Sequence, residues 1–100
     1  MAKGYWFVQV DVADPERYKN YVTANQIAFR KYGARYVVRA GRYEAVEGTC
    51  RPRLVVIEFA DYETALACYR SAEYQHAITL RRGHAIADVA IVEGYDGPQP

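Results

Sequence analysis

Three features of the 100-residue sequence predict an α+β domain built on one antiparallel sheet. Segments rich in β-branched and aromatic residues recur at 4–12, 34–48, 53–60 and 85–95, and read as strands. Stretches with three- and four-residue apolar spacing and helix-capping residues separate the first from the second and the third from the fourth. Only a loop, "EGTCRP", separates the middle two. The order β-α-β-β-α-β is the split βαβ pattern of the ferredoxin-like fold, with both helices on one face of a four-stranded sheet of order 4-1-3-2. Residues 1–95 form this single domain and "DGPQP", 96–100, a flexible tail.

The elements follow in turn. "GYWFVQVDV" stops at an acidic turn. Asp14 then suits an N-cap, Pro15 the first helical position and Gly33 the left-handed position past the end of a helix. Within that helix Tyr18, Tyr21, Val22, Ala28, Phe29 and Tyr32 make one apolar face. "ARYVVRAGRYEAVEG" gives a strand with a break at Gly41, and "RLVVIEFA" the third strand. Asp61 caps "DYETALACYR", with Leu66 and Tyr69 facing inward, and Ser71 recaps the chain for "AEYQHAITLRR", which stops near Gly83. "AIADVAIVEGY" closes the sheet.

In the first strand Trp6, Val8, Val10 and Val12 alternate with Tyr5, Phe7, Gln9 and Asp11; in the third, Val55, Ile57 and Phe59 alternate with Leu54, Val56 and Glu58. Neither shows the cleanly polar side of a sheet that faces water. Helices cover one side only, so a second copy of the chain is the expected cover of the other: a homodimer packed sheet to sheet.

Bulk composition narrows the function. A net charge of +1, with acids and bases mixed along the chain, argues against a phosphate-backbone binder. Cys50 and Cys68 form no CxxC pair and read as free thiols of a reducing compartment. No apolar run approaches the ~20 residues of a membrane span, and no signal peptide precedes Asp11; the expected location is cytoplasmic. Ten tyrosines suit half-wet pockets and interfaces, since each buries a ring and keeps a hydroxyl for a partner. Other users of the fold are disfavoured. The third strand lacks the aromatic octamer of an RNA-recognition domain, no CxxC marks a metal chaperone, and "VADPE" is acidic where an acylphosphatase cradles an anion.

Candidate chemistry gathers in a few positions. Arg39 has two readings: a guanidinium offered to a ligand carboxylate, or one half of a structural pair with Glu58 on the neighbouring strand. Tyr74, Ile78 and Arg81 share a helical face, which carries Arg81 inward and leaves Arg82 in solvent. Tyr74 and Arg81 then line a pocket, or pack as core and bind helix-end carbonyls. Tyr18 and Tyr21 point towards the sheet; core packing is expected of at least one, and Tyr18 is kept as a ligand candidate. His84, before the last strand, is a candidate general base resting only on histidine's titration near neutral pH. No His, Cys or carboxylate set shows metal-ligand spacing, so no metal or other cofactor is expected.

Together, "GYWFVQVDVADPERYKNY", "VRAG", "EG", "VVIEF", "SAEYQ", "LR" and a closing "VEG" resemble the family catalogued as domain of unknown function 1330, within the dimeric α+β barrel superfamily. The resemblance runs from Gly4 to Gly94 and departs from the family at Ala34, where a second glycine is common, and at Ala72, which replaces a proline. It implies the dimer independently of the strand faces. The wider superfamily includes cofactor-free monooxygenases of aromatic polyketides, muconolactone isomerases, haem-degrading enzymes and chlorite dismutases, likenesses of fold rather than of function. Two functions are carried forward. One is the binding of a small acidic or enolisable metabolite between sheet and helices, with cofactor-free proton transfer or oxygenation; the other is a non-catalytic dimeric binding or interaction protein whose polar cluster is structural.

Overall fold

The computed structural model describes residues 2–100. The chain runs β1 (Gly4–Val12), α1 (Pro15–Lys31), β2 (Arg35–Arg39), β3 (Arg53–Phe59), α2 (Tyr62–Arg70), α3 (Ala72–Arg81) and β4 (Ala85–Glu93). The strands form one antiparallel sheet in the order β2-β3-β1-β4, as the sequence predicts.

Each helix starts where a short polar side chain satisfies a free N–H. Asp14 accepts from the Arg17 amide at 3.1 Å and Asp61 from the Thr64 amide at 2.7 Å. Ser71 serves two helices: its Oγ donates to the Cys68 carbonyl at 2.7 Å and accepts from the Tyr74 amide at 3.1 Å. One hydroxyl thus ends α2 and begins α3. No helix is long and apolar enough to cross a membrane among the described residues.

The core lies between sheet and helices. Trp6 and Val10 of β1, Val55, Ile57 and Phe59 of β3, and Ala28, Phe29, Tyr74, Ala77 and Ile78 of the helices are buried in it. On α2 the fully buried residues are Ala65 and Cys68; Tyr69 is half-buried and faces the core as expected, its ring 5.8 Å from that of Trp6, and Leu66 is half-buried. Small side chains are needed there because α2 lies close against β1: the Trp6 indole donates to the Ala65 carbonyl at 2.9 Å. Burial, with a smaller contribution from Glu73, pushes the Cys68 thiol up to about 12, so it packs as a small apolar group. Both cysteines are free thiols, as their spacing implies.

Two differences from the sequence reading lie in β2. The strand ends at Arg39 instead of running on to residue 48, because Ala40 takes a left-handed φ of 52° after a last ladder bond from its amide to the Leu54 carbonyl at 2.8 Å. The register also shifts between Tyr36 and Val38, making Val37 a one-residue bulge. Side chains beyond the bulge therefore change faces relative to strict alternation.

The side of the sheet away from the helices is apolar at its centre. Phe7, Val38, Leu54, Val56 and Ala90 border a shallow concavity of about 460 Å³ there, and Ile86 and Val92 of β4 stand exposed nearby. Its acids Glu58, Asp11 and Asp88 are already engaged. The Tyr5 hydroxyl donates to Glu58 at 3.1 Å, and Arg51 bonds both Asp11 and Asp88 at 2.8 Å.

Gly4 records how closely α2 meets β1. A β-carbon at that position stands 2.8 Å from the Tyr62 Cα and closer still to the Asp61 carbonyl, both backbone atoms. Gly4→Ala is expected to cost about 1–3 kcal/mol by overpacking, read as a lower urea midpoint with an unchanged slope. An unaltered midpoint means the two backbones separate at no cost.

Candidate functional site

Tyr18, Tyr21, Asn25 and Phe29 recur at three- and four-residue steps along α1 and face the sheet. Opposite them lie Trp6, Val8, Val55 and Ile57. Tyr36 and Arg39 of β2 and Arg53 of β3 complete the lining of the cleft between. The enclosed void is about 30 Å³, room for about two waters, and with its open mouth the cleft offers about 370 Å³ of empty space. At the β2 side Gln26 Nε2 donates to Asn25 Oδ1 and to the Tyr36 hydroxyl, both at 2.8 Å, tying α1 to the sheet edge.

Two guanidiniums serve this cleft. Arg39 lies opposite Val55, on the helix side, with its guanidinium carbon 4.2 Å from the centre of the Tyr36 ring. Arg53 starts β3 two residues before Val55, on the same face, and its guanidinium carbon is 5.6 Å from the centre of the Tyr18 ring. The Arg53 Nε is buried and has no hydrogen-bond partner. The cleft lining contains no carboxylate, and no ion pair among the described residues involves Arg39, Arg53 or Arg81.

Arg39 and Glu58 do not pair. Glu58 stands opposite Arg35 and beside Tyr5, on the sheet face away from the helices. Strict alternation over 35, 37 and 39 would put Arg39 on that face too, and the bulge at Val37 turns it to the other side.

Tyr74 and Arg81 come together with Tyr21, behind the cleft. Tyr74 is 1% exposed, so it does not reach the void itself. Its hydroxyl lies 2.6 Å from that of Tyr21, and Arg81 Nη1 donates to both oxygens, at 3.4 Å to Tyr21 and 3.3 Å to Tyr74. Burial, and next the neighbouring Tyr21, raise the Tyr74 phenol far above its ordinary range, so it keeps its proton. That proton has one acceptor at hand, the Tyr21 oxygen; pointed the other way, a buried hydroxyl would be orphaned at a cost of about 1–3 kcal/mol. Either hydroxyl can donate in this pair; with Tyr74, the more deeply buried of the two, as donor, the Tyr21 oxygen accepts from Tyr74 and Arg81 together and its own O–H is free for another acceptor.

Tyr18 also lines the cleft, its phenol raised by burial and then by Tyr21, with Arg53 opposing. Arg82 is exposed. His84 contributes its backbone: the carbonyl accepts from the Ala13 and Asp14 amides at 2.8 and 3.1 Å and so holds the β1–α1 turn, while the residue lies outside the cleft lining. Among the described residues no group of three His, Cys, Asp or Glu side chains converges as a metal site.

Sequence reasoning missed Arg53, Asn25 and Tyr36, and expected core packing of at least one of Tyr18 and Tyr21 without saying which. For Arg53 the signal was present, since alternation in "RLVVIEF" aligns it with Val55, Ile57 and Phe59 on the helix side.

Comparison with known proteins gives a family and a fold. The model of the family described as Domain of unknown function (DUF1330) matches residues 3–95. No curated protein matches the chain significantly. Among solved structures, the RPA0582 protein of unknown function from Rhodopseudomonas palustris superposes with a TM-score of 0.75 at 12% identity, over 96% of this chain and 85% of that one. SnoaB, a cofactor-independent oxygenase from Streptomyces nogalater, gives 0.66 at 9% identity, over 100% of this chain and 97% of that one. An ethyl tert-butyl ether d (ethd) family protein from Bacillus halodurans gives 0.57 at 14% identity, over 95% of this chain and 100% of that one. Likenesses at identities this low show the ferredoxin-like α+β fold of the chain and nothing of the chemistry.

The hydroxyl assignment is tested by two single substitutions. Tyr21→Phe strands the buried Tyr74 donor and is expected to cost about 1–3 kcal/mol, whereas Tyr74→Phe loses one hydrogen bond worth about 0.5–1.5 kcal/mol. Urea unfolding of both variants should therefore rank Tyr21→Phe as the more damaging. The reverse order reverses donor and acceptor.

Proposed function

For a chain that belongs to the domain of unknown function 1330 family, we propose that the protein is a homodimer that binds a small acidic metabolite in the cleft between α1 and the sheet of each protomer. One observation carries the reading: Arg39 and Arg53 share a cleft whose lining holds no carboxylate. Two guanidiniums on one wall repel unless an anion lies between them. A ligand carboxylate supplies that charge and gains charge-assisted hydrogen bonds, two from Arg53 where the geometry is bidentate. The Tyr21 hydroxyl, already accepting from Arg81 and Tyr74, offers a further donor to an oxyanion. Arg81 and Tyr74 act on the ligand through Tyr21, Tyr18 forms the wall beside Arg53, and Glu58 takes no part.

Cofactor-free proton transfer or oxygenation of an enolisable ligand is a second reading, favoured by the polarised Tyr21 hydroxyl and by the likeness of fold to a cofactor-independent oxygenase. The same donors that hold a carboxylate also stabilise an enolate. The lining contains neither histidine nor carboxylate to remove the proton, so binding is the better-supported function.

The second copy belongs on the open sheet face. Phe7 there is 50% exposed in the protomer, and the acids around the apolar centre already have donors in Tyr5 and Arg51. An apolar centre whose flanking acids are already hydrogen-bonded suits a like patch under a twofold axis. A monocarboxylate would not choose it, since no free cation faces its concavity.

Light scattering at micromolar concentration should report twice 11.4 kDa. Phe7→Lys, which introduces a charge at a residue outside the core, should halve that mass or prevent folding; a folded monomeric wild type removes the dimer. Separately, a thermal-shift screen of small aliphatic and aromatic acids should raise the melting temperature of the wild type. Arg53→Met should lose the shift, and Arg39→Met should reduce it. Equal stabilisation of wild type and Arg53→Met removes the site.

A further inference from the structure

Arg53 borders a second cleft. Beyond it, at the amino-terminal end of α1, Val10, Val12, Pro15, Val22 and Pro52 enclose a trough of about 710 Å³, which Tyr18, Lys19, Thr23 and Arg53 complete. Tyr18, Val22 and Arg53 line both this trough and the basic cleft, so the two are one continuous groove along α1 with Arg53 at the joint. The buried, unbonded Arg53 Nε lies at that joint.

We infer that the ligand is an amphipathic monocarboxylate, with its carboxylate at Arg53 and Arg39 and its apolar body along Val10, Val12 and Val22 towards Pro15. This rests on the anion-binding reading above and specifies the ligand class. The groove is divided by chemistry. On the β2 side of Arg53 it offers guanidinium, amide and phenol groups; on the other its walls are chiefly valine and proline. A ligand with charge at both ends does not fit this division. The one ammonium at the far trough, Lys19, lies on the surface beside Glu16 at 3.2 Å, so a second carboxylate there meets a solvated, already paired charge rather than a dry cation. A wholly apolar ligand fails as well, because it leaves the Arg53 Nε buried without a partner.

The consequence is a dependence on chain length. Each methylene that enters the trough fully is expected to tighten binding about fourfold, the equivalent of ~0.8 kcal/mol. Occupancy is read by isothermal titration calorimetry, which needs no reporter side chain in the cleft or the trough. The experiment titrates straight-chain monocarboxylates from acetate to octanoate, together with glutarate and adipate, into wild type, Arg53→Met and Thr23→Trp. Thr23 is an exposed helix position bordering only the trough, so a tryptophan there obstructs it without disturbing the core.

Support is a Kd that falls with chain length in the wild type, a flat dependence in Thr23→Trp with acetate affinity retained, and loss of all acids in Arg53→Met. Four results overturn the inference. If acids bind through Arg53 but affinity ignores chain length, the apolar body does not occupy the trough, and the anion site stands. If dicarboxylates bind more tightly than monocarboxylates of similar length, the far trough accepts charge. If longer acids bind equally well to Thr23→Trp and Arg53→Met, they occupy another apolar surface. If no acid binds the wild type, the anion-binding reading fails with it.

Discussion

The hydrogen bond from the Trp6 indole to the Ala65 carbonyl, 2.9 Å long and buried, ties the centre of the sheet to the small-residue face of α2. That tie brings one helix down onto β1, so Gly4 is needed where the two backbones meet. The other side of the helical layer is held differently. α1 carries Tyr18, Tyr21 and Phe29 towards the sheet, and its backbone approaches α3 more closely than any strand. Rings prop α1 where alanine and cysteine let α2 settle. A layer close on one side and propped on the other leaves a wedge of space, and the wedge is the cleft. The Trp6 ring, in contact with Phe29 and Tyr74 at centroid distances of 5.4 and 4.8 Å, belongs to the core and to the cleft floor at once.

A near-neutral chain conceals a separation of charge. Glu58, Asp11 and Asp88 lie on the open sheet face, each with a donor: Glu58 with Tyr5, Asp11 and Asp88 with Arg51. The helix side holds Arg39, Arg53 and Arg81, and phenol rings and hydroxyls stand where carboxylates would ordinarily be. A phenol oxygen accepts a hydrogen bond from guanidinium and its ring face attracts the cation, yet neither cancels the charge. Tyrosine thus lets cations be partly buried while keeping their field for something else. The abundance of tyrosine, legible only as a preference for half-wet surfaces, acquires this specific use in the folded chain.

How much was legible follows from which forces are local. Caps at Asp14, Asp61 and Ser71 act over three residues of chain, and the alternation in β1 and β3 repeats every two, so helix starts, strand faces and element order were readable. The inward position of Arg81 followed from its spacing to Tyr74 and Ile78 on one helix face. What lay beyond reach was tertiary. The Tyr21–Tyr74 contact joins residues 53 apart in sequence, and only the fold brings those hydroxyls to 2.6 Å. Arg53 was overlooked although alternation placed it correctly, because a charged residue at a strand's first position reads as an exposed end. Neighbouring α1 and the Tyr18 ring make it otherwise.

The two readings of Arg39, ligand anchor and structural ion pair, are separated by a single backbone residue. Without the bulge at Val37, Arg39 would lie on the open face of the sheet, the face that carries Glu58. There, opposite Leu54 and next to Val56, a guanidinium would need a carboxylate, and pairing would be its obvious fate. With the bulge it crosses to the helix side, where the cleft holds a second guanidinium and no acid. An edge strand tolerates an irregularity of this kind because its outer ladder has no partner to lose. The cost falls where the sheet is weakest, and the result is a cation turned from neutralisation towards the cleft.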